Sequence, residues 1–230
     1  MSLILTAADR THQKSVLQLL SSLAKHQPEA SVVCHDLGME ADYLRRVADL
    51  AELRAWNFDP DWTQVRNRGR FHAGAYGWKP RMLAAACLRD GPEEIAWLDA
   101  GTLVSAALGP AFAIASRIGV YSPASSGRTG DWCHDGLAAQ LSLAARSDLL
   151  WGPCRSAGAL FMRMDFPGVT DLLFDWLRLS ALPEIIAPPG CSTANHRYDQ
   201  SLLNLLLESR GFNGAAVDHC AGFHMHCDID

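Results

Sequence analysis

The residues best placed for chemistry follow a short apolar run. Ile95 to Leu98 is too short for an amphipathic helix and has no polar face, the pattern of a strand buried on both sides. Asp99 ends the run, and Ala100, Gly101 and Thr102 follow as a turn of small residues. A carboxylate at the end of a buried strand is costly to desolvate unless a partner or a ligand meets it there. Open α/β sheets hold their ligands in the crevice beyond the carboxyl ends of their strands. The competing use of Asp99 is as a cap on the next helix, in line with the general preference for Asp at such positions.

Three more acids end apolar runs in the same manner: Asp9, Asp36 and Asp59. Together with Asp99 they imply a polar edge able to hold a cation. Lys79 stands in Trp78-Lys79-Pro80, at the start of a helix whose first turn tolerates Pro80, and could reach a phosphate there. Its alternative is an ordinary solvated lysine. Asp199-Gln200 opens another apolar helix, with Asp199 either a cap or a group facing a substrate. His224 and His226 lie two apart, so on a strand they share a face. With His219, Cys220 and Cys227 they contain zinc-ligand types, but no pair has the spacing of a structural zinc site.

The elements that must position these groups alternate. Leu3 to Leu5, Ser31 to Cys34, Leu53 to Trp56 and Ile95 to Leu98 read as strands. Helical spacing covers Thr11 to His26, with Val16, Leu17, Leu20 and Leu23 inward, then Met39 to Leu50, and Trp78 to Arg89. Alternating strands and helices with short links predict a largely parallel sheet with right-handed crossovers. Further on, Pro110 to Arg117 and Phe166 to Leu179 read as helices, and Gly119 to Tyr121 and Ala159 to Met162 as strands. Residues 57 to 77, with Trp62, Arg66, Arg68, Arg70 and His72, form a long and therefore functional-looking loop. Residues 122 to 136, rich in Ser, Gly and Asp, read as a flexible segment over the crevice. Residues 183 to 193 read as loop, and the close of the chain, Gly222 to Cys227, shows no element of its own.

Composition narrows the function classes. At 230 residues, with 49% apolar and 20% charged content, the sequence describes one ordinary globular domain with a large core. A net charge of −5 and the lack of a basic stripe argue against a nucleic-acid partner. No secretory leader precedes the first strand, and no apolar run approaches the roughly 18 residues of a transmembrane segment. Seven cysteines at irregular spacing point to reduced thiols and hence a cytoplasmic location.

With these residues in place, the chain resembles glycosyltransferases of the GT-A fold, in particular the glycogenin and lipopolysaccharide galactosyltransferase family. The family's Leu-Asp-Ala-Asp-Thr-like strand end looks like Leu98-Asp99-Ala100-Gly101-Thr102. Its Asn-Ala-Gly turn looks like Ser156-Ala157-Gly158, and its Asp-Gln helix start with a following Asn looks like Asp199-Gln200 and Asn204. The basic residue it places on the nucleotide looks like Lys79 in Tyr76-Gly-Trp-Lys79, and its C-terminal metal-binding histidine looks like His224 or His226. The motifs run in order over most of the chain. Two departures stand out: Gly101 replaces the second metal-gripping acid, and Ser156 replaces the Asn.

The resemblance implies a single α/β GT-A-like domain with a mostly parallel central sheet flanked by helices. It implies a nucleotide-binding half, residues 1 to 121, and a sugar and acceptor half, residues 122 to 230. The donor is expected to be a nucleotide-sugar, UDP-linked, and the acceptor a saccharide, lipid or protein, with retention favoured. The base is expected near Thr6, Ala7 and Asp9, and the rest of the donor along Tyr76, Lys79, Asp99, Ala100, Gly101, Ser156 and Gly158. Mn²⁺ or Mg²⁺ is expected on Asp99 with His224 or His226, and Asp199 and Gln200 are the expected catalytic pair. The chemistry suits those residue types. A divalent ion and a lysine offset charge on a leaving diphosphate, and a carboxylate or amide oxygen steadies an oxocarbenium-like sugar.

Three other readings compete. Loss of the second acid at Gly101 allows a binding domain without turnover. The stretch from Leu98 to Val104 also resembles the Asp-x-Asp-Gly-Thr motif of haloacid-dehalogenase phosphatases, but its register fails whichever role Asp99 takes. A Rossmann dehydrogenase lacks its Gly-x-Gly-x-x-Gly after the first strand.

Overall fold

The computed structural model describes residues 2–57, 75–142, 147–212 and 222–230. Asp59, Trp62, Arg66, Arg68, Arg70, His72, His219 and Cys220 lie outside the described residues. The elements run β1 (Ser2–Ala8), α1 (Gln13–His26), β2 (Ser31–Asp36), α2 (Ala41–Ala48), β3 (Glu52–Ala55), α3 (Trp78–Asp90) and β4 (Glu94–Leu98). Then follow β5 (Leu103–Val104), α4 (Gly109–Ile118), β6 (Val120–Tyr121), β7 (Ala124–Arg128), α5 (Asp135–Gln140), β8 (Pro153–Arg155) and β9 (Ala159–Arg163). Last come α6 (Val169–Ser180), α7 (Pro183–Ile186), α8 (Asp199–Ser209) and β10 (Phe223–His224).

Six strands form the central sheet in the order β3-β2-β1-β4-β9-β6. β1 pairs in parallel with β2 and β4, and β2 with β3, while β9 runs antiparallel to both of its neighbours. The fold is thus the α/β, mostly parallel arrangement expected, with one reversed strand. The reversal of β9 has no signature in its sequence, because Ala159-Leu-Phe-Met162 is buried on both faces whichever way it runs.

Strand alternation divides the core between the two faces. Leu3, Leu5, Ile95 and Trp97 pack with Met82 and Leu83 of α3, Trp176 of α6 and the leucines of α8. Ile4, Ala96 and Leu98 pack on the other side with Val16, Leu20 and Leu23 of α1 and Phe112 of α4. Because α1 and α3 cover opposite faces, the chain moves outward from β1 to β3 and then returns to lay β4 on the other side of β1. The strand order therefore reverses between β1 and β4. Such a switch point opens a crevice beyond the carboxyl ends of the two strands.

Three stretches expected to lack structure have it. Residues 122–136 contain β7, which pairs antiparallel with β8 across an irregular register. Their Ser and Gly residues read as flexible, but here backbone pairing and Ser125 and Ser126 serve as anchors: the Arg197 guanidinium donates to both hydroxyls, at 2.9 and 3.2 Å, and stacks 3.7 Å from the Trp132 ring centre. Residues 183–193 include the short helix α7. The close of the chain forms β10, antiparallel to β5. No helix among the described residues is long and apolar enough to cross a membrane.

Candidate active site at the carboxyl edge

Asp99 follows the last residue of β4, at the switch point. A tight turn fixes it: Asp99 N donates to Gly158 O at 2.8 Å, and Thr102 N donates to Asp99 O at 2.9 Å. Its carboxylate turns towards α3. Trp97, two residues earlier on the same strand face, donates its indole N–H to Asp99 Oδ1 at 2.6 Å, and Lys79 Nζ stands 3.1 Å from the same oxygen. A Cβ on residue 158 would lie 2.8 Å from Asp99 Oδ2, so glycine is needed there for the close approach rather than for a special backbone angle.

Lys79 is the centre of this constellation. It lies in the first turn of α3 and is only 5% exposed. Its ammonium donates to Ala157 O at 3.0 Å and also lies 3.6 Å from Asp199 Oδ2. Burial by itself would lower the pKa of Lys79, but Asp99 and Asp199 more than offset it and the net direction is upward. Lys79 is thus a fixed buried cation, not the solvated lysine of the alternative reading.

Asp199 is the first residue of α8 and is 4% exposed. Its Oδ2 is buried and accepts no hydrogen bond from the described residues, the Lys79 ammonium standing 3.6 Å away. Burial pushes its carboxyl up to about 6 in spite of Lys79, with Asp99 adding to the rise. Its backbone carbonyl accepts the Trp176 indole N–H at 3.1 Å, which ties the start of α8 to α6. Tyr76 and Tyr198 flank the ion group with their rings 6.4 Å apart, and both have left-handed backbones, φ 60° and 49°. Such angles in bulky residues cost energy and cluster at functional sites. Burial, then Asp199, raises the Tyr76 phenol.

The other expected site residues divide. Ser156 Oγ accepts the Gly158 N–H at 3.0 Å, so Ser156 shapes the turn on which Asp99 rests. Gln200 points instead at Cys154 Sγ, 3.3 Å away, and does not join Lys79 and Asp199. Asn204 staples β8, accepting Arg155 N at 2.6 Å and donating to Arg155 O at 2.9 Å. Thr6 is fully buried with its hydroxyl unpartnered among the described residues, and Ala7 and Ala100 are buried.

Two of the four edge acids lie in turns. Asp9 accepts from Thr11 N at 2.7 Å and sits 3.0 Å from His12 Nδ1, while Asp36 accepts from Gly38 N and Met39 N, each at 2.8 Å. Both acids are occupied in forming the turns after their strands, a common use of Asp. Asp59 is outside the described residues.

The expected metal ligands are not gathered in advance. Among the described residues no three His, Cys, Asp or Glu form a group able to hold a metal ion. His224 is exposed on β10, whose Phe223 goes to the core, and His226 is exposed in the tail at φ 59°.

Sequence reasoning named Asp99, Lys79 and Asp199 separately and missed two of their partners. Trp97 was legible in principle, since residues two apart on a strand share a face. The carbonyl of Ala157 left no sequence signal.

No family model and no curated protein sequence matches the chain. Solved structures do. An active-site mutant of LgtC superposes with TM-score 0.59 at 14% identity, covering 100% of this chain and 88% of that one. The galactosyltransferase LgtC in complex with donor and acceptor sugar analogues gives TM-score 0.57 at 16% identity, covering 90% of this chain and 70% of that one. The apo bifunctional glycosyltransferase WbbM gives 0.56 at 14% identity over 91% of this chain, which spans 38% of the length of that protein. This is the fold of GT-A glycosyltransferases.

Proposed function

We propose that the chain is a glycosyltransferase that moves a sugar from a nucleotide-sugar, a UDP-sugar, to a saccharide, lipid or protein acceptor. The observation that carries this reading is the buried Lys79 ammonium between Asp99 and Asp199 at the β1/β4 switch point. A fixed cation there costs no reorganisation when a diphosphate leaving group gains charge. Asp199, with its carboxyl at about 6, is largely ionised at neutral pH and can steady positive charge on the sugar ring.

In this reading the nucleotide lies along Thr6 to Asp9 and the turn from Asp99 to Gly101, in the first half of the chain. The sugar faces Asp199, and the second half meets the acceptor. Gln200 would have to turn from Cys154 to reach the sugar. Retention of configuration is the outcome to which the resemblance points. A divalent Mn²⁺ or Mg²⁺, when bound, would neutralise charge on the diphosphate, and Asp99 with His224 or His226 would be its protein ligands. A cytoplasmic setting agrees with the free thiols of the described cysteines.

Gly101 favours a second reading, a nucleotide-sugar binder without turnover. Calorimetric titration with UDP, GDP and their sugars tests the donor reading, because nucleoside diphosphates should bind and nucleosides alone should bind far more weakly. Product release from a bound nucleotide-sugar then separates enzyme from binder.

A further inference from the structure

The turn after β4 carries a carboxylate that its own sequence does not supply. Gly101 has no side chain, yet Asp228 stands beside its α-carbon. Oδ2 of Asp228 lies 2.5 Å, and Oδ1 nearer still, from the point where a Cβ on residue 101 would be. Asp228 therefore lays its carboxylate, with Cγ at 2.6 Å, over the space that a side chain at 101 would enter. An acid at 101 and Asp228 in its present place could not coexist, because the Cβ would overlap the carboxylate. Glycine at 101 leaves room for the acid at 228 in its present place.

The tail that carries Asp228 is pinned on both sides. Cys227 N donates to Gly101 O at 2.7 Å, and Gln18 of α1 donates to Cys227 O at 2.9 Å. Beyond it, Ile229 N donates to Ser15 Oγ at 2.9 Å, and the Asp230 carboxylate accepts from Lys14 N and Ser15 N at 2.8 and 3.2 Å. Asp228, whose charge helps raise the pKa of the nearby His12, makes no hydrogen bond or salt bridge among the described residues. Nor does Asp99 Oδ2, which rests against Gly158 while Oδ1 takes both Trp97 and Lys79. In the same crevice Asp199 Oδ2 is buried without a hydrogen-bond donor among the described residues.

We propose that Asp228 supplies from the tail the carboxylate that position 101 lacks, and that it joins Asp99 as a protein ligand, besides His224 or His226, of a divalent-cation site completed by the donor's diphosphate. This rests on the donor reading above. Two carboxylates are hard oxygen ligands suited to Mg²⁺ or Mn²⁺, and both ions ordinarily take more ligands than two side chains provide. The absence of a preformed group of three among the described residues then has a consequence: cation and nucleotide bind weakly apart and well together.

The test uses the intact protein, with the free Mn²⁺ signal in electron paramagnetic resonance as readout, with and without saturating UDP. Asp228→Asn should weaken Mn²⁺ binding in the presence of UDP by about tenfold or more, on the scale of lost metal-site contacts, while metal-free UDP affinity does not fall, since a charge repelling the diphosphate is removed. Gly101→Asp combined with Asp228→Gly moves the carboxylate back to the turn and should restore near wild-type Mn²⁺ affinity. That rescue distinguishes a ligand from a group that merely seats the tail. Wild-type Mn²⁺ affinity in Asp228→Asn, or no recovery in the double variant, overturns the assignment. If UDP binds and Mn²⁺ adds nothing in the wild type, the cation site alone falls. If no nucleoside diphosphate binds with or without Mn²⁺, the donor reading falls with it.

Discussion

Lys79→Met keeps the apolar stem of the buried side chain and removes its charge, so it isolates what the ammonium does. Burial alone lifts the Asp199 carboxyl, and Lys79 is the main influence holding it at about 6 rather than higher. Without Lys79 the folded-state pKa should rise further, while the unfolded value stays near 3.8. Between those two values the native state holds a proton that the unfolded chain has released. Unfolding free energy then falls as pH rises, by about 1.4 kcal/mol per pH unit. In the wild type this fall ends near pH 6, where Asp199 ionises in the fold. In the variant it continues, so the two stability curves should separate by up to about 3 kcal/mol between pH 6 and pH 8. Urea denaturation of both proteins at a series of pH values and constant ionic strength measures this directly. A penalty that is the same at every pH would refute the reasoning, because Lys79 would then be a packing group and not the counter-ion of Asp199.

The remaining predictions concern the ends of the same crevice. Turnover of a nucleotide-sugar should fall as pH drops through about 6, because Asp199 is then protonated, and Asp199→Asn should lose kcat and this acid limb together while keeping its nucleotide affinity. Normal turnover in that variant would leave Asp199 a buried structural acid. Asp230→Ala should cost about 1 kcal/mol in urea denaturation, since the carboxylate caps the first turn of α1 through Lys14 N and Ser15 N; unchanged stability would show that the tail contributes nothing to that helix.

Much of the fold was legible because burial writes itself into sequence. Ile95 to Leu98 is apolar on both faces since helices cover both, and Val16, Leu20 and Leu23 repeat at helical spacing since one side of α1 meets the sheet. Less legible was whatever depends on backbone pairing alone. Ser125 and Ser126 are polar by type but lie in a strand, and the direction of β9 is set by its neighbours. Within the site, Asp99, Lys79 and Asp199 were each readable from their place at an element's end. Their convergence was not, because packing of α3 and α8 on one face of the sheet brings them together. Asp9 and Asp36 carried the same signal as Asp99 and serve in turns, so a strand-end acid alone does not distinguish a ligand group from a turn. Asp228 was beyond reach of spacing arguments, since only the bonds pinning the tail to α1 and to Gly101 O fix its position.

The central claim is that a buried lysine at the β1/β4 switch point receives the diphosphate of a nucleotide-sugar. Calorimetric titration of UDP and of uridine into the wild type and Lys79→Ala, each with and without Mn²⁺, tests it most directly. The account predicts that UDP binds the wild type, that uridine binds far more weakly, and that Lys79→Ala loses affinity for UDP much more than for uridine. Equal loss for the two ligands, or no binding of UDP to the folded wild type under either condition, would contradict it.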